Sequence, residues 1–268
     1  MPGFTTLSEW LSWQETLHPH EIELGLERIH RVYQRLHDTD LPTVITVAGT
    51  NGKGSSVALL EAIYRQAGYR TGSYTSPHLL RYNERIAIQG EPQSDRVIIE
   101  AFNRVDHARQ QESLTYFEFG TLAALDIFHR SDLDVVLLET GLGGRLDAVN
   151  IIDADAAIVT TVDLDHQAWL GNDRATIAKE KAGIFRAAQP AISSDPASPE
   201  ALQESAKQIN ANWLKNGEHF FIEQSVDHWL WRSGEKTFDA LPYPALIGAH
   251  QINNAAGVLM AIHQLDKR

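Results

Sequence analysis

The chain contains one short segment whose residue types suit phosphate binding. It runs Gly49-Thr50-Asn51-Gly52-Lys53-Gly54-Ser55 and lies between an apolar, β-branched stretch, Thr43–Ala48, and a stretch of helical composition. In a strand–turn–helix unit, the amides of a glycine-rich turn and of the first helical turn point at an anion, and Lys53 adds a positive charge. We therefore predict that this turn holds the phosphates of a nucleotide.

The spacing of the turn departs from the usual phosphate-loop pattern G-x-x-x-x-G-K-[ST]. Only two residues separate Gly49 from Gly52, and Gly54 lies between Lys53 and the hydroxyl of Ser55. A tight turn with a solvated lysine is the structural alternative. The strand–turn–helix context favours the phosphate loop over that alternative.

Polar side chains follow other predicted strands. Glu139 and His166 each come at or just after the end of an apolar stretch, and Ser76 precedes a proline after a shorter one. A hydroxyl and a carboxylate suit Mg²⁺ or Mn²⁺, whereas an imidazole beside them is unusual because Mg²⁺ prefers oxygen ligands. On the residues alone, local roles stay open: a turn hydroxyl for Ser76, a cap of the following glycine-rich turn for Glu139 and a backbone-bonded imidazole for His166.

Helical and strand-like stretches alternate along the chain, and the predicted strands are apolar throughout, as in a parallel sheet with helices on both faces. Ligands of such sheets bind outside the carboxyl ends of the strands. We therefore predict a doubly wound, mostly parallel α/β fold with a phosphate loop. The predicted strands are Thr43–Ala48, Tyr69–Tyr74, Val135–Leu138, Ala156–Thr161 and 190–194, and the predicted helices are Leu7–Leu36 with a break near His18, one ending near Gly68, Val97–Gln111, Tyr116–His129, Ala175–Arg186 and Ser198–Ala211.

Aromatic residues alternate with polar ones from Phe220 to Phe238, around the sequence Arg-Ser-Gly-Glu-Lys. Period-two alternation around a glycine-containing turn is typical of a hairpin. We predict a small β-hairpin region there.

The composition indicates a folded α/β protein. With 268 residues, 43% of them hydrophobic, the chain can bury a large core. It has no cysteine, which excludes disulfides and thiolate zinc sites. Because neither a signal peptide nor an apolar run of membrane-spanning length is visible, we expect a cytoplasmic protein without a membrane partner. The net charge of −12 argues against nucleic-acid binding, so local features must hold an anionic ligand.

Several segments resemble the folylpolyglutamate synthase and dihydrofolate synthase family, within the Mur-type ATP-dependent amide ligases. They follow one another from Leu24 to Ala256 and so cover nearly the whole chain. The opening LSEWLSWQETLHPHEIELGLERI is also similar to the bacterial bifunctional members, which add glutamate to dihydropteroate and then to folates. The segments are LGLERI, TVAGTNGKGSS, TSPHLLRYNERI, TYFEFGTLAAL, LLETGLGGRLDAVN, VDLDHQAWLG, IAKEKAGIFR and HQINNAA.

The resemblance implies an ATP-dependent ligase. Family members transfer the γ-phosphate of ATP to a substrate carboxylate, and the amine of glutamate then attacks the acyl phosphate to form an amide. The implied cofactors are ATP and Mg²⁺, with two ions for which Mn²⁺ can substitute. The implied partners are small molecules, namely dihydropteroate or folate, L-glutamate and ATP, with no nucleic acid and no membrane, and we expect a monomer.

The resemblance also assigns roles to individual residues. Lys53, His166 and Lys181 are the expected catalytic residues, and Lys181 is expected as a carbamate whose negative charge supports the metal. The remaining assignments are Thr50, Asn51, Gly52, Lys53, Gly54, Ser55 and Asn254 for ATP; Ser76, Glu139 and His166 for the metal; and Leu24, Gly25, Thr115, Tyr116, Phe117, Glu118, Leu146, Asp147 and Ala148 for the pterin substrate.

Several of these residues have structural alternatives. Lys181 has the pattern of a solvated helix lysine, Tyr116 and Phe117 suit core packing, Glu118 suits a local cap or pair, and Asn254 suits a cap at a helix start. Only the family resemblance favours the functional roles over these alternatives.

Family members continue beyond the helix of Asn254 into a second, Rossmann-like domain, which supplies part of the nucleotide and glutamate sites. We therefore expect residues 1–268 to form the ATP- and pterin-binding N-terminal domain, with that C-terminal domain absent from the chain. Two alternatives stay open: a nucleotide-binding module without ligase turnover, and another Mur-type amide ligase, such as one acting on a nucleotide-sugar substrate. The segments LGLERI and TYFEFG disfavour the nucleotide-sugar substrate.

Overall fold

A computed structural model describes residues 3–246 and 248–266. The helices in these residues are α1 (Leu7–Leu17), α2 (Glu27–Leu36), α3 (Lys53–Gln66), α4 (Asp95–Arg109), α5 (Tyr116–His129), α6 (Gln167–Leu170), α7 (Arg174–Ala182), α8 (Glu200–Gln208) and α9 (Ala249–Leu265), with 3₁₀ turns at Tyr82–Arg85 and Ala148–Ile151. The strands are β1 (Thr43–Ala48), β2 (Thr71–Tyr74), β3 (Ile86–Ile88), β4 (Glu91–Pro92), β5 (Val135–Glu139), β6 (Ala156–Val159), β7 (Pro190–Ser193), β8 (Asn212–Lys215), β9 (Phe221–Gln224), β10 (Trp229–Ser233) and β11 (Lys236–Leu241).

The described residues divide into two compact units. The first unit comprises those of Met1–Thr43, Glu61–Gly141 and Leu146–Ile152. The second unit comprises those of Val44–Leu60, Leu142–Arg145 and Asp153–Arg268. The glycine-rich turn of the predicted phosphate loop belongs to the second unit.

The strands of the first unit follow the order β4-β3-β2-β5. β2 and β5 are parallel, and β3 and β4 add antiparallel strands beyond β2. The aromatic rings of Trp10, Phe102 and Phe119, from α1, α4 and α5, are fully buried with centroids 5.5 to 6.2 Å apart. This aromatic cluster packs the three helices together, and a capping box of Thr115 and Glu118 fixes the start of α5.

The strands of the second unit follow the order β1-β6-β7-β8, and all of them are parallel. Ala157 and Val159 of β6 pack in one core cluster with residues of α7 and α8. The alternate residues of β6, Ala156 and Ile158, are equally buried and point to the opposite face, and α9 contacts β6 and β7. Helices therefore cover both faces, which confirms the predicted mostly parallel α/β fold and explains why these strands are apolar throughout.

The aromatic region from Phe220 to Phe238 forms a three-stranded antiparallel sheet, which has one strand more than the predicted hairpin. β10 lies between β9 and β11. The ring of Trp231 on β10 is fully buried, and its indole N–H donates to the carbonyl oxygen of Ala256 in α9 (3.1 Å). This contact attaches the small sheet to α9 within the second unit.

Other differences from the sequence expectation include an unpredicted strand and an earlier helix end. β8 was missed because it is paired only with β7 and is partly exposed, so its residues lack a continuous apolar run. α7 ends at Ala182, four residues before the predicted Arg186, and Gly183 is its C-cap. Among the helices of the described residues, none combines the length and the apolar composition that crossing a lipid bilayer requires.

Candidate active site

The glycine-rich turn between β1 and α3 needs glycine at two positions. The backbone of Gly52 has φ +83°, a left-handed conformation that other residues rarely adopt. A Cβ at Gly52 would overlap the amide nitrogen Nδ2 of Asn254, and a Cβ at Gly49 would overlap Oγ1 of Thr160. The turn therefore packs directly against α9 and against the segment that follows β6.

Hydrogen bonds fasten the turn to the segment after β6. The amide of Thr50 donates to the carbonyl oxygen of Thr161 (2.8 Å), and the amide of Asp163 donates to Oγ1 of Thr50 (3.0 Å). Oγ1 of Thr160 donates to the carbonyl oxygen of Asn51 (2.6 Å). Side chains of the turn and its neighbour thus hold the loop backbone in place without a ligand.

Lys53 begins α3 and folds back across the turn, where its Nζ donates to the carbonyl oxygen of Gly49 (3.0 Å). The first amides of α3 have no acceptor within the helix, so they are directed out of its N-terminus. The hydroxyl of Ser56 donates to the carbonyl oxygen of Gly52 (2.9 Å), whereas the neighbouring Ser55 is half-buried at the loop. The turn therefore has the amides, the ammonium and the hydroxyl of a phosphate-binding loop.

Asn254 is only 2% exposed and lies in the interior of α9, well past its first residue Ala249. The alternative role of a helix-start cap is therefore wrong. Its Nδ2 donates to Oε1 of Gln251 (3.4 Å), while its Oδ1 has no hydrogen-bond partner within residues 3–246 and 248–266. A buried amide oxygen without a donor is costly, and an N–H group of a ligand beside Gly52 would satisfy it.

His166 follows β6 with a left-handed backbone, φ +47° and ψ +42°, and its side chain is exposed. Its amide donates to Oδ1 of Asp165 (2.9 Å), and its Nε2 is 3.7 Å from Oδ2 of the same aspartate. In the part of the chain that the structure describes, no group of three or more His, Asp or Glu side chains is arranged to hold a metal. Metal binding by His166 stays a prediction.

Lys181 lies in the last turn of α7 and is 3% exposed, so the alternative of a solvated helix lysine is wrong. The segment after Glu139 packs closely against this turn, because a Cβ at Gly144 would come within 2.8 Å of the Lys181 carbonyl oxygen. Arg145 strengthens the contact: its guanidinium pairs with Glu180 (2.9 Å), and its amide donates to the Glu180 carbonyl oxygen (2.7 Å). The sequence reasoning missed Arg145 and Glu180, although both occur in the segments that carry the resemblance.

Ser76 and Glu139 lie together in the first unit. Glu139 ends β5 and is 5% exposed, and Ser76 follows β2, the parallel neighbour of β5. The amide of Ser76 donates to Oε2 of Glu139 (3.2 Å). Two of the three expected metal ligands are therefore adjacent, and the third, His166, belongs to the second unit.

Glu118 has both of the structural roles that were given as alternatives to substrate binding: it caps a helix and pairs with a charged side chain. Its Oε2 accepts hydrogen bonds from the amide (2.8 Å) and the hydroxyl (3.0 Å) of Thr115, which closes the capping box of α5. Both of its carboxylate oxygens also accept from Nε of Arg28 (2.8 and 2.9 Å). Substrate binding by Glu118 stays a prediction, because these contacts already account for its burial.

Arg28 is a residue that the sequence reasoning did not single out. Besides Glu118, its guanidinium donates to the carbonyl oxygen of Glu23 (2.6 Å) and pairs with the Glu23 carboxylate. It therefore joins the segment of Leu24 and Gly25 to the start of α5, so two of the predicted substrate-binding segments lie together. Because Arg28 lies within the segment LGLERI, the family resemblance could have identified it as a residue near the substrate-binding segments.

The other predicted substrate residues are buried or half-buried in the same unit. Tyr116 and Phe117 are half-buried; the ring of Phe117 packs on Gly141 and 5.9 Å from that of Tyr74. Burial raises the pKa of Tyr116, so its phenol is neutral at physiological pH. Asp147 is buried and caps a 3₁₀ turn by accepting from the amide of Val149 (3.1 Å), between the half-buried Leu146 and the buried Ala148.

Comparison with known proteins agrees with this fold and these segments. The model of the Mur ligase middle domain matches residues 47–262. The dihydrofolate synthase/folylpolyglutamate synthase of Escherichia coli strain K12 is 46% identical over 239 residues, which are 89% of this chain and 57% of that protein. The chain thus spans less than two thirds of the length of this relative.

Solved structures give the same result. The structure of E. coli FolC in complex with DHPP and ADP superposes with a TM-score of 0.93 at 45% identity, covering 97% of this chain and 62% of that one. A bifunctional folylpolyglutamate synthase/dihydrofolate synthase with Mn, AMPPNP and L-glutamate bound superposes with a TM-score of 0.89 at 44% identity, covering 97% of this chain and 62% of that one. The parallel sheet with its glycine-rich strand–turn–helix loop defines an α/β protein of the Mur ligase type, and the chain belongs to the Mur ligase family.

Proposed function

We propose that this protein acts in an ATP-dependent ligase that adds L-glutamate to 7,8-dihydropteroate, giving dihydrofolate, and to folates. The observation that carries the proposal is the loop of the second unit, in which Gly52 lies against the buried Asn254 and Lys53 folds over the turn. The ADP, AMPPNP, DHPP and L-glutamate named for the similar structures support the same reaction.

The described residues fit ATP. The amides at the start of α3 and the ammonium of Lys53 would hold the phosphates, with Thr50, Asn51, Gly54 and Ser55 shaping the loop. The unpaired Oδ1 of Asn254 would accept a hydrogen bond from the nucleotide. Lys53 neutralises the negative charge that spreads over the transferred phosphoryl group, which is the main contribution a protein makes to phosphoryl transfer.

The residues near Ser76 fit a hard divalent cation. The backbone amide of Ser76 donates to Glu139, so the two residues are adjacent. The Ser76 hydroxyl and the Glu139 carboxylate are oxygen ligands of the kind that Mg²⁺ and Mn²⁺ prefer, and His166 would add a nitrogen that Mn²⁺ accepts more readily. The cation would neutralise phosphate charge during transfer. We propose Mg²⁺, with two ions, as the usual metal, and Mn²⁺ as a substitute.

The chemistry requires activation of a carboxylate, because a carboxylate is a poor electrophile. Transfer of the γ-phosphate converts one carboxylate oxygen into a leaving group; the glutamate amine then forms the amide bond, and inorganic phosphate departs. Lys181 is proposed to carry a carbamate near this reaction. Its burial supports that role, since a buried ammonium beside metal ions would be repelled, whereas a carbamate is negatively charged.

The pterin would bind the first unit at Leu24 and Gly25, at the start of α5, and at Leu146–Ala148. Arg28 bonds both Glu118 and the carbonyl oxygen of Glu23, which brings the first two of these segments together and supports this assignment. The half-buried rings of Tyr116 and Phe117 offer flat apolar surfaces for a flat heterocycle.

The E. coli relative is longer than this chain, so we propose that the complete enzyme contains a further domain, and that it works as a monomer. The proposal is tested by giving that full-length protein ATP, labelled glutamate and either dihydropteroate or a UDP-sugar peptide precursor. Labelled dihydrofolate is the expected product in the first reaction only. Amide formation on the UDP-sugar substrate alone would assign the protein to cell-wall synthesis instead.

A second candidate function is a nucleotide-binding module without ligase turnover. The glycine-rich turn favours it, because the turn has the groups to hold phosphates within the second unit alone. Titration of the chain with AMPPNP in the presence of Mn²⁺ tests the binding that both candidates share.

A further inference from the structure

The first unit has a basic groove at the carboxyl ends of three of its helices. α2 contributes Arg35, α4 contributes Arg104, and Arg130 is the C-cap of α5. The groove has a volume of about 590 Å³, within the usual range of small-molecule sites. We call it the arginine groove; its other polar lining residues are Asn103, His107 and Gln110.

Asp126 is the acidic group that two of these arginines contact. It is fully buried and is contacted by Nε (2.7 Å) and Nη2 (2.6 Å) of Arg104 and by Nε of Arg130 (3.2 Å). Its Oδ1 also lies 3.4 Å from Nε2 of His37. One carboxylate thus faces two guanidinium groups and an imidazole. The positive charge of the two guanidinium groups exceeds the single negative charge of Asp126.

Arg35 is held differently. Its Nη1 donates to the carbonyl oxygen of Ala108 (3.2 Å), and its Nη2 is 3.7 Å from Glu112. Glu112 in turn receives two short hydrogen bonds from Arg31 (2.8 and 3.0 Å), so its charge is already matched. The three arginines of the groove therefore exceed the facing carboxylates, in a protein whose net charge is −12.

Guanidinium donors remain unused at the groove. Nη1 of Arg104 and both terminal nitrogens of Arg130 have no hydrogen-bond partner among the residues that the structure describes. The contacts with Asp126 hold these two guanidinium groups in place on rigid helices. The terminal nitrogen pair of Arg130, together with Nη1 of Arg104, offers N–H donors suited to carboxylate and phosphate oxygens.

We propose that the arginine groove is a second anion-binding site, separate from the glycine-rich turn, for a small molecule with at least two phosphate or carboxylate groups. One group of the ligand binds Arg104 and Arg130, and a second group binds Arg35 and His107. The ligand stabilises the packing of α2, α4 and α5, because it binds only where their carboxyl ends meet. This inference does not depend on the ligase function.

The test uses calorimetric titration of the protein with pyrophosphate and, in a separate arm, with citrate. Saturable binding of at least one probe is expected, and it should weaken as salt is added because the contacts are ionic. Arg130→Gln should weaken it by about tenfold, as expected for loss of charge-assisted hydrogen bonds. Arg130→Lys, which keeps the charge but not the fork, should lose less affinity than Arg130→Gln.

Arg96→Gln is the matched control, because Arg96 is an exposed arginine of α4 whose one ion pair among the described residues is with Glu100. Pyrophosphate can also bind the glycine-rich turn, but that contribution is common to all variants, so the difference between variants reports on the groove. Preference for pyrophosphate or for citrate identifies the anionic group of the natural ligand. The proposal is wrong if neither probe binds the protein, or if Arg130→Gln and Arg96→Gln bind both probes as the unaltered protein does.

Discussion

Single residues of the glycine-rich turn have roles that their contacts define. Gly52 has no room for a side chain because Asn254 lies against it, and Lys53 is folded across the turn by its bond to Gly49. The ammonium is therefore already close to where the phosphates are proposed to bind. Little ordering of Lys53 is needed on binding, which favours affinity.

Lys53→Ala is expected to weaken ATP binding and to abolish glutamate addition by the full-length enzyme. The lost charge faces the γ-phosphate, where negative charge spreads in the transition state, and removal of one such group costs roughly 3 to 4 kcal/mol of transition-state stabilisation. Titration with AMPPNP and a turnover assay measure the two effects. Lys179→Ala, which removes another basic residue of the second unit, is the control; unchanged affinity and turnover in Lys53→Ala would remove Lys53 from the site.

Glu139→Gln and His166→Ala are both expected to raise the Mg²⁺ concentration that half-maximal activity requires. Loss of the imidazole in His166→Ala should raise the Mn²⁺ requirement more than the Mg²⁺ requirement, since Mn²⁺ accepts a nitrogen ligand more readily than Mg²⁺, whereas Glu139→Gln removes an oxygen ligand and should raise both. Activity measured against metal concentration, with each ion, gives the result. If the metal curves of both variants match those of the unaltered enzyme, neither residue binds the metal.

At the scale of elements, the contact between α2 and α5 contains a cluster of titratable side chains. The imidazoles of His37 and His129 stack with centroids 4.0 Å apart, and the hydroxyl of Tyr33 lies 2.8 Å from Nε2 of His129. Burial, and next the charge of His37, lower the pKa of His129 to about 4. Burial raises the pKa of Asp126, but His37, Arg104 and Arg130 together outweigh it and bring the value to about 2.

The low pKa of His129 predicts a loss of stability in mild acid. Between the unfolded value near 6.5 and the folded value of about 4, the unfolded chain binds the proton and the folded chain does not, so the free energy of unfolding falls as the pH falls through this window. The loss is on the order of 2 kcal/mol after discounting for partial exposure.

Denaturant unfolding of His129→Gln across this pH window tests the prediction, with His228→Gln as the control because His228 is exposed. The His129 variant should show a flatter dependence of unfolding free energy on pH. Equal slopes for the two variants would exclude His129 as the titrating group. Asp126 adds a separate loss, confined to pH values between its unfolded value near 4 and about 2.

At the scale of the whole molecule, the chain spans 57% of the E. coli relative that it matches. The glutamate site and part of the nucleotide site are proposed to come from a further domain. Closure of such a domain would exclude water from the acyl phosphate, which otherwise hydrolyses before the amine attacks.

The 268-residue chain by itself is therefore expected to bind ATP weakly and to form no amide with dihydropteroate. In the full-length enzyme, Lys181→Ala should abolish activity, and added small carboxylates should restore part of it by occupying the position of the carbamate. Incorporation of labelled glutamate measures both. Robust turnover by the chain alone would contradict the need for a further domain, and wild-type activity of the Lys181 variant would contradict the carbamate.

The sequence by itself determined the central parallel strands, most of the helices and the glycine-rich turn of the α/β fold. Their signals are local: a buried parallel strand such as Thr43–Ala48 is apolar at every position, and a turn with left-handed backbone needs glycine, as at Gly52. It also predicted that Glu139 lies at the end of one strand and that Ser76 follows another, and these strands, β5 and β2, are parallel neighbours. The family followed from segments in a fixed order.

Only the tertiary structure decided which distant side chains meet. Asn254 lies against Gly52, Arg28 joins Glu23 to Glu118, and Arg145 binds Glu180. Each contact depends on how whole helices pack, and the same residue types occur on solvated surfaces elsewhere in the chain. The burial of Lys181 could likewise not be predicted from the sequence. Most lysines are exposed, and whether a particular lysine is covered depends on which elements pack over it.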